Sequence, residues 1–177
     1  MWSNGNLGFF LIGGGGGGAQ NSKAGSSGFF KYEVVKAAAN RKQTVKIRIG
    51  QGGSPSGSDG TPTSVDVDGY IIRANGGGGN ARPGWSEGGD ESANGSYHGG
   101  GTNGSGEQLP SLCGDVNLSY GAGGMSDGAD GGGGGGVIIG GRKPDIISDM
   151  DGEGYGAGGA EKDHAGYPGA VVVMVCD

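Results

Sequence analysis

The sequence predicts a single, mainly β domain in which glycine-rich segments are held between short strands. Glycine supplies 49 of the 177 residues and hydrophobic residues only 32%, so a conventional apolar core would be small for this length. The apolar residues are clustered in short β-branched or aromatic runs, flanked by glycine, asparagine, aspartate or proline, as is typical of strands. This clustering argues against a disordered chain.

Short strands are expected towards both ends of the chain, where the apolar runs lie. These runs are FFLI (9–12), GFFKYEVV (28–35), TVKIRI (44–49), GYII (69–72), GVII (136–139) and AVVVMV (170–175). We expect strands near 7–12, 28–36, 43–49 and 69–74, which makes residues 1–75 mostly β. Residues 136–177 are expected to return to closing strands and loops.

Turn chemistry marks the breaks between these strands. The proline-, serine- and glycine-rich residues 54–62 are expected to form an exposed loop, and residues 66–69 a turn before the strand at 70. The one helical candidate is a single turn from Lys36 to Ala39, because Asn40 stops it. We therefore expect almost no helix.

The predicted glycine-rich body spans residues 76–135 and ends in a second run of six glycines at 131–136. A glycine chain can adopt the polyglycine II form, an extended left-handed helix with three residues per turn, a rise of about 3.1 Å per residue and no internal hydrogen bonds. Such helices satisfy one another's N–H and C=O groups when they pack side by side, and the absence of Cβ lets their axes approach closely.

An array of this kind needs anchors. A net hydrogen bond contributes about 0.5–1.5 kcal/mol, whereas ordering the backbone of one residue costs about 1–2 kcal/mol. Apolar strands at the ends of the glycine segments are therefore expected to clamp them, beginning with the FFLI strand that runs into Gly13–Gly18.

The charge balance argues against nucleic acid as the partner. The net charge is −6 at pH 7 and the pI is about 4.8, whereas a phosphate backbone calls for a clustered basic face. Basic residues concentrate in the first third and mostly alternate with apolar residues, so we interpret them as a solvated strand face: Lys31, Lys36, Arg41, Lys42, Lys46 and Arg48. Neither a membrane helix nor a signal peptide is expected.

The sequence predicts no enzyme, cofactor or metal site. Gly13–Gly18 matches a dinucleotide-binding pattern trivially, and no helix pattern follows it. His98 and His164 stand alone and are expected to be exposed loop residues. Residues 149–153 resemble the start of a calcium loop but lack its third oxygen ligand and its distant glutamate, so we expect a turn there.

Two further features leave alternatives open. Cys113 and Cys176 either pair, closing a loop of about 60 residues, or remain two buried thiols. Asn-X-Ser triplets at Asn94, Asn103 and Asn117 are glycosylated only in a secretory pathway, and such triplets arise by chance in this composition.

A characteristic order of motifs runs through nearly the whole chain. The apolar strand that enters six glycines at 9–18 is followed by Ile-Arg-Ile-Gly-Gln-Gly-Gly at 47–53, by residues 70–79, by Asp130 with GGGGGGVII, and by the segments 154–159 and 166–173. This order resembles the glycine-rich domain in the extracellular part of the anaplastic lymphoma and leukocyte tyrosine kinase receptors. Similar modules occur in secreted invertebrate proteins and in viral or phage surface proteins.

The resemblance implies a small β-sandwich of tumour-necrosis-factor-like character with an inserted bundle of polyglycine II helices. Some phage tail-fibre adhesins use a related bundle to present variable loops. The chain lacks the receptors' kinase, transmembrane segment and most of their cysteines, so cytokine-receptor function does not transfer. Because the chain starts almost on its first core strand, we expect an edge strand of the family's sandwich to be missing or to be supplied by a partner.

We therefore expect a non-enzymatic structural or assembly module of an extracellular or virion surface, with further copies of the chain or other structural subunits as its protein partners. The alternative is a recognition module, an adhesin or receptor fragment, that binds a protein or a surface glycan through loops 53–63 and 80–120. Six aromatic or apolar residues in the glycine body are expected either to cap the glycine helices and cover the bundle or to serve as loop-tip anchors for a partner: Trp85, Tyr97, Leu109, Leu112, Tyr120 and Met125.

Overall fold

The computed structural model describes residues 5–19, 24–37, 42–79, 109–121, 133–149, 151–160 and 164–176. Within these ranges the chain is mainly β, with eight strands and no α-helix, which confirms the predicted class. The strands are β1 (Asn6–Ile12), β2 (Phe30–Lys36), β3 (Val45–Arg48), β4 (Thr63–Val67), β5 (Tyr70–Ala74), β6 (Leu118–Tyr120), β7 (Val137–Ile139) and β8 (Ala170–Cys176).

The described strands form three small antiparallel sheets, ordered β2-β1-β8, β3-β4-β5 and β6-β7. β1 is the central strand of the first sheet and pairs along its whole length with both neighbours. In that register Phe10 lies between Tyr32 of β2 and Val172 of β8. β1 is therefore fixed on both sides by backbone hydrogen bonds.

The core has two parts, one on each face of β1. Phe10 and Ile12 project into a cluster with buried side chains from several other segments: Phe30, Leu112, Val137, Met174 and Cys176. Phe9 and Leu11 project to the opposite face, where they pack with side chains of β4 and β5: Val65, Val67, Ile72 and Ala74. Since side chains alternate along a strand, the unbroken FFLI run reflects burial on both faces.

The hairpin β4-β5 corrects the expected turn at residues 66–69. The reversal is confined to Asp68 and Gly69, which have φ angles of 49° and 93°, and Asp66 and Val67 belong to β4. The Gly69 N–H donates to Asp66 Oδ1 over 2.7 Å. Two residues with positive φ match the right-handed twist of the flanking strands. β4 was not expected because its polar residues lie next to turn residues.

Gly13–Gly18 continues directly from β1, and all six residues are buried. Their N–H groups donate in a three-residue repeat, so that residues three positions apart donate to the same neighbouring segment. The donor and acceptor pairs are Gly13 to Phe29, Gly14 to Thr61, Gly15 to Tyr167, Gly16 to Ser26, Gly17 to Ser58 and Gly18 to His164, with N···O distances of 2.8–3.0 Å. No side chain takes part in these bonds.

Three further segments donate to the carbonyl groups of the same run. Gly77, Gly53 and Gly159 donate to Gly14, Gly15 and Gly16 respectively. The central run is thus surrounded by six segments, and each of the six bonds to the next around a closed ring, in the order 24–29, 75–78, 58–61, 50–53, 164–169 and 156–159. We call Gly13–Gly18 and these six segments the glycine array.

The glycine array draws on segments from most of the chain. Of the predicted body over 76–135, residues 80–108 and 122–132 lie outside the described residues, so that assignment stays a prediction. Residues 133–136, from the second glycine run, lie against the array, and Gly134 N–H donates to Gly25 O over 3.1 Å. The array is therefore centred on the first glycine run, which precedes the predicted body in the sequence.

A hydroxyl group joins the array to the strands. Thr63, at the start of β4, is fully buried, and its Oγ1 donates to the carbonyl of Ile12, the last residue of β1. The same oxygen accepts the Gly50 N–H over 2.9 Å. This side chain satisfies two backbone groups at the point where β1 passes into the glycine run, which is what a clamp at this end requires.

Close backbone approach requires glycine in the central run. A Cβ on any residue from Gly13 to Gly17 would overlap a backbone carbonyl group of a neighbouring segment. The carbonyls belong to Asn75, Gln51, Ala157, Gly78 and Ser54, in that order. The side-chain-free surface of the run is therefore a packing surface, as the sequence predicts.

We expect Gly16→Ala to lower the free energy of unfolding by about 1–3 kcal/mol or more, because its methyl group would overlap the carbonyl of Gly78. Gly78→Ala is the matched control. A Cβ on Gly78 has nothing within 4 Å and the residue's φ is not positive, so we expect a change between about zero and a gain of 1 kcal/mol. Urea unfolding of both variants measures this, and equal losses would contradict close packing at Gly16.

Candidate interaction surface and a buried polar network

An apolar face is left uncovered where the second sheet ends at β3. The antiparallel register places Val45 beside Val67 and Ile47 beside Val65, so these four side chains point to the same face of the sheet. Val65 and Val67 are buried in the core shared with β1, whereas Val45 and Ile47 are 36% and 47% exposed. β3 therefore extends this apolar face beyond the core.

β8 likewise leaves apolar side chains uncovered at the edge of the first sheet. Its register places Val173 beside Phe9 and Val175 beside Leu7, so both valines point to the face of the sheet that packs against β4 and β5. Phe9 is fully buried, but Val173 and Val175 are 48% and 54% exposed. We call the uncovered residues Val45, Ile47, Val173 and Val175 the open margin.

The opposite side of the two sheets is closed by a polar contact. The Tyr70 hydroxyl of β5 donates to the Glu33 carboxylate of β2. That hydrogen bond, together with the charge of Glu33, raises the pKa of Tyr70. Of the two sides, the β2 and β5 side is joined by a direct hydrogen bond, and the β3 and β8 side leaves apolar side chains in contact with water.

A second feature is a carboxylate buried beside the glycine array. Asp151 is 3% exposed, and its Oδ1 lies 2.9 Å from the Ala160 N–H and 2.8 Å from His164 Nδ1. Its Oδ2 accepts the Tyr167 hydroxyl over 2.9 Å. Ala160 directly follows the array segment 156–159, and His164 and Tyr167 belong to the segment 164–169, so one carboxyl group links these two segments of the array.

The same network corrects two expectations. His164 is half-buried and hydrogen-bonded, so it is not an isolated exposed loop residue. Asp151 lies in a turn, as expected for residues 149–153, since its N–H donates to Ser148 O over 2.9 Å. Its side chain, however, is buried. Among the described residues, no group of three or more His, Cys, Asp or Glu side chains is placed to hold a metal ion.

Tyr167 links this network to an exposed loop. Its hydroxyl accepts the Ile147 N–H over 2.9 Å, and Ile147 itself is 83% exposed. Burial is the main cause that raises the pKa of Tyr167 to about 12, and the neighbouring Asp151 raises it further, whereas the hydrogen bond from the Ile147 N–H lowers it. An apolar side chain is therefore presented to solvent from a backbone that is tied to the buried carboxylate. The sequence offers no signal for this, because Ile146 and Ile147 resemble a short core strand.

The predicted anchor residues fall in different environments. Leu112 is a core residue, 9% exposed, and is thus not available as an exposed anchor. Leu109 packs against the same cluster, and Tyr120 is half-buried on β6. Trp85, Tyr97 and Met125 lie outside the described residues. Where described, these side chains favour the interpretation in which they cover the interior.

The structure joins Cys113 and Cys176 in a disulfide, with the two Cα atoms 5.4 Å apart. The sulfurs lie against Gly8 of β1, where a Cβ would come within 2.7 and 2.8 Å of them. Cys113 is further held by its N–H, which donates to the Tyr32 hydroxyl over 3.2 Å. The bond pins the end of β8 to the segment before β6. Asn117 is exposed on that segment, and Asn94 and Asn103 lie outside the described residues.

Comparison of the chain with protein-family models, curated proteins and solved structures finds no match. Within the described residues, no helix has the length and apolar character needed to cross a membrane.

We expect Tyr167→Phe to lower the free energy of unfolding at neutral pH by about 1–3 kcal/mol, because the buried Asp151 carboxylate loses a donor. The pKa of Tyr167 is raised from 10.0 to about 12, so its contribution is complete below pH 10 and is lost as the pH rises through about 12. Wild type should therefore lose more stability over this range than Tyr167→Phe in chemical unfolding experiments. Parallel pH profiles would contradict this assignment.

We expect reduction of the disulfide to lower the free energy of unfolding by about 4 kcal/mol, the loop-closure value for cysteines 63 residues apart. Thermal unfolding with and without reductant measures the effect. The variant Cys113→Ser with Cys176→Ser serves as the control, because reductant should not change its melting temperature. A reductant effect of the same size in that variant would show that the disulfide is not its source.

Proposed function

We propose that this chain is a non-enzymatic structural module that assembles with protein partners on an extracellular or virion surface. The open margin is the observation that carries this proposal. It consists of apolar side chains on β3 and β8 that are about one-third to one-half exposed, although they lie on the faces that elsewhere form the core. Exposed apolar faces of this kind mark protein–protein contact sites.

We also propose that the fold is the β-sandwich with inserted polyglycine II helices implied by the resemblance to the glycine-rich domain of receptor tyrosine kinases. The shared cluster of Phe9, Leu11, Val65, Val67, Ile72 and Ala74 supports two sheets packed face to face. The three-residue repeat of the bonds from Gly13–Gly18 supports a helix with three residues per turn. Six bonded neighbours around one run are what side-by-side packing of such helices produces.

The proposed location is supported by the disulfide. Disulfides persist in oxidising compartments and on the surfaces of cells and virions, and they are rare in reducing cytoplasm. Cys113 and Cys176 are joined here, which favours a surface role. The net charge of −6 argues against nucleic acid as the partner.

A recognition module remains the second candidate, and Ile147 is the observation that favours it. Its side chain is the most exposed of the large hydrophobic residues that the structure describes, and its backbone is held by Tyr167 and, through Tyr167, by Asp151. A rigid loop that presents an apolar side chain suits binding to a protein pocket. Of the predicted recognition loops, Gly53 and residues 58–61 of loop 53–63 belong to the glycine array and Thr63 belongs to β4, whereas residues 80–108 of loop 80–120 lie outside the described residues.

Sedimentation velocity across a wide range of protein concentration tests the choice between these functions. If the open margin mediates assembly, the wild-type chain should form concentration-dependent oligomers. Ile47→Lys should weaken their association by at least about tenfold, which corresponds to about 1.4 kcal/mol. Ile147→Lys is the matched control and should leave association unchanged. A wild-type monomer at every concentration would overturn the assembly function in favour of recognition.

A further inference from the structure

The four edge strands of the two three-stranded sheets differ in charge. β2 and β8 flank β1, and β3 and β5 flank β4. Three of these edges carry charged side chains: Lys31, Glu33 and Lys36 on β2, Lys46 and Arg48 on β3, and Arg73 on β5. β8 has the sequence AVVVMVC and carries none. Among the four, β8 is also one of the two longest, with seven residues.

Charged side chains on an edge strand prevent it from pairing with another chain. β8 has no such protection, and it contains neither proline nor glycine. Among the described strands, β1 is its only pairing partner, so the backbone groups on the other side of β8 face away from the sheet. Among the four edge strands of the two three-stranded sheets, β8 is therefore the one best suited to accept another strand.

β8 is also held in the geometry that pairing requires. It pairs with β1 in register over all seven residues, and the disulfide pins Cys176 at its end. On one face, Met174 and Cys176 are buried in the core. On the other face, Val173 and Val175 are about half exposed. An added strand would find a rigid edge and a partly uncovered apolar row beside it.

We propose that the occupant of this edge is β8 of a second copy, paired antiparallel about a two-fold axis. This inference rests on the proposed assembly function and specifies its contact. A strand bearing charges would place them beside the apolar row of Val173 and Val175, whereas a second β8 brings no charge to the edge. An antiparallel pair of identical strands is self-complementary, as a closed two-fold interface requires.

The paired molecules would share one continuous sheet, in the order β2-β1-β8 followed by β8-β1-β2 of the second copy. In this arrangement Val173 and Val175 of the two copies cover one another. Each copy has a net charge of −6, but none of it lies on the paired strands, so salt should strengthen the pairing moderately by screening the overall repulsion.

The test compares two valines of equal exposure on opposite edges of the same sheet. Val173 on β8 is 48% exposed and Val34 on β2 is 45% exposed. A lysine at either site keeps its charge in water, so both variants should retain the wild-type melting temperature at low concentration. In sedimentation velocity, wild type and Val34→Lys should form the same dimer, and Val173→Lys should remain monomeric at concentrations at least tenfold higher.

Hydrogen exchange of the wild type supplies a second readout that needs no variant. Amides of β8 should become better protected as the protein concentration rises, and those of β2 should not. If the wild type associates but Val173→Lys associates equally well, β8 pairing is overturned while the assembly function stands. If Val34→Lys and Val173→Lys are weakened alike, the pairing is likewise overturned. A wild type that is monomeric throughout overturns both proposals.

Discussion

Backbone hydrogen bonding around Gly13–Gly18 is the interaction on which the rest of the structure depends. The run donates to three segments and accepts from three others, and these six come from positions between residues 24 and 169. Segments that are far apart in sequence are thus fixed relative to one another through a backbone without side chains. The contact is possible only because glycine has no Cβ, since a carbonyl group of a neighbouring segment occupies the place that a Cβ would take.

β1 connects this array to the apolar core. It supplies side chains to the clusters on both of its faces and then continues without a break into the central glycines. Thr63 satisfies backbone groups at that junction. Elsewhere in the array, the Asp151 side chain links the segments 156–159 and 164–169 through its hydrogen bonds to Ala160 and Tyr167. Hydrogen bonds alone would give the array only marginal stability. Strand packing therefore holds it where β1 ends, and the buried Asp151 carboxylate holds it between the segments 156–159 and 164–169.

The sequence was sufficient for some of these features because their physical signals are local. The runs at 9–12 and 170–175 predict strands, and β1 and β8 contain them. β4 gave no clear signal, because its alternation of valine with serine and aspartate is short and lies between turn residues. The partners of Gly13–Gly18 could not be assigned, since identical glycines carry no pattern that selects a neighbour. The hydrogen bond between Asp151 and His164 could not be predicted either, because it depends on which segments the array brings together.

The three-residue repeat of the central run restricts how this molecule can change during evolution. Adding or removing one glycine would direct every later N–H to a different neighbouring segment. Only a change of three residues would return each later N–H to the same neighbouring segment. The length of the run should therefore change in multiples of three residues, even where the surrounding loops vary freely.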